Sequence, residues 1–158
     1  MQTLSQLETS VRNSYLKIDP SAKIWSNTSL DYFLQTAYSK VQQDCQYAIP
    51  ECEASTTIST VSWTREYAVP SDFVRLGGLF YQTKKLGKTQ KSQIYLYNSS
   101  NSIPAQYYKY GNYIGLCPIP DSTYDISMLY YKKLPALSSS QANVMGTELE
   151  DCVVLYAC

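Results

Sequence analysis

The apolar residues of this chain change period twice, and that change limits the folds open to it. Up to about residue 47 they recur at helical spacing, from residue 54 to about 134 they alternate, and from Thr147 the helical spacing returns. Sustained over a whole segment, a helix pattern does not sit as a strand, nor a strand pattern as a helix. The chain is therefore expected to be α+β, with an N-terminal helical hairpin and a C-terminal helix flanking an inserted antiparallel β-sheet or sandwich. At 158 residues it fits one domain. That domain is divided here into a helical part (1–50), a β part (54–134) and a last helix (144–158) that packs on the first two.

Leu4, Leu7, Val11, Tyr15 and Ile18 predict a helix over 3–18, opened by a capping box of Thr3 and Gln6 and closed by Asp19-Pro20. Ser26, Asn27 and Thr28 are N-cap candidates for a second helix over about 29–47. Leu30, Phe33, Leu34, Ala37, Tyr38 and Val41 give it one apolar stripe, and Asp31 suits the positive end of its dipole. The expected strands are Thr56–Val61, Glu66–Val69, Phe73–Leu76, Leu79–Gln82, Gln93–Tyr97, Gln106–Tyr110, Tyr113–Cys117 and Tyr124–Tyr131, the last being the longest. Gly111-Asn112 predicts a tight hairpin turn. Leu76-Gly77-Gly78-Leu79 reads as a bend, and 83–92 as a polar loop. Leu134–Asn143 is a serine-rich connection, and Thr147 with Glu150 opens the last helix as a second capping box.

Composition narrows the chemistry. There is no histidine, which removes the commonest general base and the commonest metal ligand. Cys45, Cys52, Cys117, Cys152 and Cys158 form no C-x-x-C pair and are expected as reduced, packed thiols. Glu51 with Glu53, and Glu148 with Glu150 and Asp151, read as solvated surface rather than catalytic pairs. The G-x-x-x-x-G-K phosphate loop is absent. No catalytic, cofactor or metal site is expected, and the chain is read as a non-enzyme. Thirteen basic residues balance thirteen acidic ones, so no global field draws the chain to nucleic acid or to an acidic membrane. No apolar run approaches the ~20 residues that span a bilayer. Met1–Ser5 lacks the features of a signal peptide, so synthesis is expected in a cytoplasm.

The aromatic content points to contacts. Sixteen tyrosines stand against three phenylalanines and two tryptophans. Tyrosine joins an apolar face to a polar tip, which suits half-buried sheets and subunit interfaces. Tyr95, Tyr97, Tyr107, Tyr108, Tyr110 and Tyr113 are the candidate interface residues, some of which must serve the core instead. Lys84, Lys85, Lys88 and Lys91 are either a solvated hairpin tip or a loop that faces DNA or an acidic partner. Two rival readings are a carbohydrate-binding β-module, in which tyrosines stack on sugars, and a small enzyme working through carboxylates alone.

Several stretches resemble a known family. Trp25-Ser26, Leu30-Asp31-Tyr32-Phe33-Leu34, Ala37-Tyr38 and Val41 are similar to the opening helices of tailed-phage head-tail connector or adaptor proteins. Arg65-Glu66-Tyr67, Val69-Pro70-Ser71-Asp72-Phe73 and Arg75-Leu76 resemble the strand and turn that follow. The most specific part is Pro104, Tyr107-Tyr108, Gly111-Asn112, Ile114-Gly115-Leu116 and Pro118-Ile119-Pro120-Asp121, then Tyr130-Tyr131-Lys132, Leu134-Pro135 and Leu137. The resemblance implies a structural virion protein made in a host bacterium. Such a subunit forms a homo-oligomeric ring, expected to be dodecameric, below the portal protein. The ring receives tail or further connector proteins and lets DNA pass without reading its sequence.

Overall fold

The structure is a computed structural model and describes residues 2–14, 16, 25–45, 48–96, 101–138 and 152–154. It is α+β, and the chain divides into two compact units, 1–52 with 133–158, and 53–132.

In the first unit, α1 spans Leu4–Ser14 and α2 spans Asn27–Cys45. The capping box forms at the start of α1: the Thr3 amide donates to Gln6 Oε1 (2.9 Å) and the Gln6 amide to Thr3 Oγ1 (3.4 Å). Leu4, Leu7 and Val11 are buried. Tyr15 and Ile18, expected on the same stripe, lie outside the described residues. Helix α2 begins earlier than the expected Ser29, because Ser26 Oγ accepts the Ser29 amide (3.2 Å) and so caps the first turn. Leu30, Leu34, Ala37, Tyr38 and Val41 are buried on one face. Phe33 departs from its expected place on that face. It is exposed, edge-on to both Trp25 and Tyr32.

Arg12 at the end of α1 donates to the Trp25 carbonyl and to Asn27 Oδ1, both at 2.8 Å. The chain returns to this unit after the β region. The Leu4 amide donates to the Ser138 carbonyl, and Gln35 Nε2 to the Leu137 carbonyl. Cys152–Val154 are helical, with Val153 and Val154 buried. The rest of the expected last helix lies outside the described residues.

Among the described residues, the second unit has eight strands in two sheets. The strands are β1 (Glu53–Ser59), β2 (Glu66–Ala68), β3 (Phe73–Tyr81), β4 (Lys84–Lys85), β5 (Gly87–Lys88), β6 (Gln106–Tyr110), β7 (Tyr113–Cys117) and β8 (Asp125–Lys132). Their orders are β1-β8-β3-β4 and β2-β7-β6-β5. Every pairing is antiparallel except the short parallel pair β5–β6, where sequence alone suggested antiparallel throughout. The core lies between the sheets: Leu79, Ile126, Met128 and Tyr130 come from the first, Tyr107, Ile114 and Leu116 from the second, and Leu86 from the link between β4 and β5. The alternation of the last expected strand puts Tyr124, Ile126, Met128 and Tyr130 on one face; Ile126, Met128 and Tyr130 are buried in β8, and Tyr124, just before it, is half-buried.

Three expectations for this unit are corrected. Phe73–Leu76 and Leu79–Gln82 are not separate pieces: β3 runs through Gly77-Gly78, with a register shift there, and is the longest strand. Such an irregularity lets a strand bend without ending, and glycine marks the place. The 83–92 segment is not one loop, since Lys84-Lys85 join the first sheet and Gly87-Lys88 the second. Of the expected strand Gln93–Tyr97, the described part is not extended: Lys91–Leu96 form a 3-10 turn. Its Gln93 amide donates to the Gln90 carbonyl (3.0 Å) and Ile94 is buried against Tyr108 and Cys117. A five-residue apolar alternation fits either form, and here β6 already has β5 and β7 as neighbours.

Candidate interaction surface

The hairpin β6–β7 sorts four of the six candidate tyrosines. Tyr110 and Tyr113 pair across the turn and are 60% and 49% exposed. Gly111 takes φ +54° while Asn112 does not turn positive, which matches a type II′ turn with glycine first. Tyr107 points inward to the core between the sheets. Burial also pushes its phenol pKa up. Tyr108 points the other way but is only 2% exposed, because the 3-10 turn covers it with Ile94. Its ring lies over Gly115, where an added Cβ would collide with the ring atoms. Gly115 is therefore a close-approach glycine. Tyr97 and the side chain of Tyr95 lie outside the described residues.

Tyr108 also anchors a polar node. Its hydroxyl donates to Glu66 Oε1 at 2.7 Å, and Lys91 Nζ reaches the same oxygen at 3.2 Å. The hydrogen bond from Tyr108, then that from Lys91, hold the Glu66 carboxyl below its usual pKa. Lys91 Nζ also sits 3.9 Å from the centre of the Tyr110 ring, a cation–π contact. Lys91 is thus tied into the β surface. Lys84, Lys85 and Lys88 are exposed. The four lysines do not form one loop-tip cluster, since they are spread over β4, β5 and the start of the 3-10 turn.

The residue that sequence reasoning missed is Trp63. It follows β1 in the loop Thr60–Thr64 and is 74% exposed, beside Val61 at 59%. Its φ is +68°. The Thr64 amide donates to the Val61 carbonyl (3.0 Å), so Trp63 occupies the third position of a β-turn. Positive φ there is usually glycine's. The loop is held from several sides. The Trp63 amide donates to the Pro120 carbonyl (2.9 Å), and Ser62 Oγ to the Asp121 carbonyl (2.8 Å). Buried Thr60 donates to Ser122 and accepts from the Tyr124 amide. The Tyr67 hydroxyl accepts the Val61 amide (3.0 Å) and donates to the Thr64 carbonyl (2.8 Å). Tyr124 in turn donates to Asp121 at 2.6 Å, and that bond holds its phenol up at about 12. The only signal in the sequence was two large apolar residues, Val61 and Trp63, in a segment bounded by Ser, Thr and Arg.

Among the described residues no group of three or more cysteines or acids could hold a metal ion. Cys45, Cys117 and Cys152 are free thiols, Cys52 is buried, and burial raises the pKa of Cys117 above its ordinary value. No helix among the described residues is long and apolar enough to cross a membrane. What the β unit offers is instead a set of exposed aromatic side chains on stiff turns. The sequence matches the SU10 adaptor protein family over residues 2–158. The chain belongs to that family. It accords with the resemblance to phage head-tail adaptors and makes the chain a structural component of a phage virion. No curated protein matches the sequence. Tyr110, Tyr113 and Trp63 are exposed aromatic side chains of the β unit.

Proposed function

We propose that this chain is a subunit of a homo-oligomeric ring, dodecameric by analogy with head-tail connectors, seated below the portal protein. The ring joins capsid to tail, receives tail or further connector proteins, and leaves DNA a central passage. It performs no catalysis. The observation that carries this reading is the adaptor-family match over nearly the whole chain. The physical features agree with it. A closed ring needs two different patches on each subunit, so that one copy's face meets another face of the next. Tyr110, Tyr113, Trp63 and Val61 of the β unit are exposed, and so are Trp25, Tyr32 and Phe33 of the helical unit, so each unit offers apolar surface for such contacts. A near-neutral chain suits a DNA passage, since strong phosphate binding would make transit slow and salt-dependent. Lys84, Lys85 and Lys88 face DNA or an acidic partner as scattered charges. The subunit is made in the bacterial cytoplasm and stays in the virion at the head-tail junction.

Negative-stain microscopy of the protein, alone and mixed with the portal of the same phage, tests this. Rings, alone or on the portal, are expected. A chain that stays monomeric and binds neither portal nor tail components would refute it.

A further inference from the structure

We propose that Trp63 is the knob of a head-to-tail contact between copies of this chain, seated in the hollow at the far end of the β1–β8 ladder of the next copy. This contact rests on the ring reading above and names the surfaces that would close it.

Two features of the β unit make the pair. One is the knob. Trp63 and Val61 stand out from a turn strapped to residues 120–124 by backbone and side-chain hydrogen bonds. A bulky side chain at positive φ persists only where its surroundings fix it, and such residues concentrate at functional positions. Tryptophan is also the side chain most enriched among those that dominate binding energy. The other feature is a hollow of about 440 Å³ on the same unit, lined among others by Glu53, Ser55, Gly77, Leu129 and Tyr131. That volume lies in the ~300–1,000 Å³ range of clefts that enclose a ligand. Leu129 is 46% exposed and gives an apolar surface in the middle strand, and Gly77 beside it on β3 adds no side chain to the hollow. Glu53 and Ser55 place acceptors at the same site, and a buried indole N–H requires one.

Placement decides the occupant. The loop carrying Trp63 adjoins the end of the ladder where Ser59 pairs with Asp125. The hollow lies toward the end where Glu53 pairs with Tyr131. Those ends are roughly 20 Å apart at the usual strand rise, so Trp63 is placed away from the hollow of its own copy. A knob at one end and a hollow at the other is the arrangement of a heterologous contact, the kind that builds rings.

Two variants test the contact: Trp63→Gly, which removes the knob where glycine suits the backbone, and Leu129→Arg, which puts a charge in the hollow from an exposed position. Circular dichroism checks that both are folded. Sedimentation velocity over a concentration series then reads self-association. Either variant alone should associate about 30-fold more weakly than wild type, the loss of one hot-spot residue. An equimolar mixture should restore pairing and stop at one-to-one dimers, because each dimer then carries one dead knob and one dead hollow. In the wild type, the emission of Trp63 should shift to the blue as association proceeds, and Trp25 remains as the background in Trp63→Gly. Variants that associate like wild type, a mixture that fails to pair, or a wild type that stays monomeric at every concentration would each overturn the contact. The ring reading is judged separately, by whether wild-type chains form a ring on the portal.

Discussion

The Trp63 turn makes a prediction in which the usual ranking of two residues reverses. Replace Trp63 by glycine and, separately, by alanine. Both substitutions remove the whole indole, so the difference in stability between them reports the backbone. Trp63 has φ +68° at the third position of a turn closed by the 3.0 Å bond from the Thr64 amide to the Val61 carbonyl. A residue with a Cβ is about 1–2 kcal/mol less stable in that left-handed region. Glycine loses about 0.4–1 kcal/mol more than alanine through the freedom of its unfolded chain. The balance leaves glycine ahead by roughly 0.5–1 kcal/mol, and each kcal/mol shifts the melting temperature of a chain this size by roughly 2–4 °C. Scanning calorimetry or urea unfolding of the two variants reads it. If alanine proves as stable as glycine or more so, the turn is not strained and the case for a selected tryptophan there fails.

Three other outcomes follow from the same geometry. Gly115→Ala should destabilise the chain by about 2–3 kcal/mol, since the new methyl has no room beneath the Tyr108 ring, and an unchanged urea midpoint would contradict that close approach. Tyr67→Phe should cost about 1–2 kcal/mol by removing the hydroxyl that holds Val61 and Thr64, with faster hydrogen exchange at the Val61 amide as the local sign. Glu8 is raised to about 7, first by burial and then by its hydrogen bond with Asp31, so between about pH 4.5 and 7 the folded chain keeps a proton that the unfolded chain has lost. Stability should therefore fall as pH rises through that window, by ~1–2 kcal/mol once solvent screening is allowed for, and wild type minus Glu8→Gln should show the slope; a flat difference would refute the shared proton.

The elements that could be read from the sequence are those whose local signals agree. Thr3 and Gln6 announce the start of α1 and do cap it. Gly111-Asn112 announces the β6–β7 turn because a two-residue hairpin needs positive φ, which glycine supplies. Ile126, Met128 and Tyr130 announce the buried face of β8. What failed did so where a neighbour decides. The Gln93–Leu96 segment has a strand's alternation, but its place is set by Tyr108, whose outer face needs covering. Tyr107 and Tyr108 are adjacent and chemically identical, yet one fills the inter-sheet core and the other packs beneath a 3-10 turn. Composition alone cannot divide them. Trp63 was invisible because the fact that singles it out is a backbone angle, and tryptophan is among the last residues a turn table would place there.

The stiffness of that turn bears on how a ring can be built from weak contacts. Association costs about 0.5–1.5 kcal/mol for each side chain that must be ordered on binding. The Trp63 backbone is already fixed before any encounter, by bonds to Pro120, to Asp121 through Ser62, and to Tyr67 through its neighbours. Less ordering is then left to the moment of contact, and a small patch can hold. An open pair of subunits makes one such contact, whereas each member of a closed ring makes two. A contact that pairs free copies only at high concentration can therefore hold firmly once closure, or a portal that gathers the copies, raises their effective concentration. In the proposed ring, strain kept in one turn of each subunit would lower the cost of each contact.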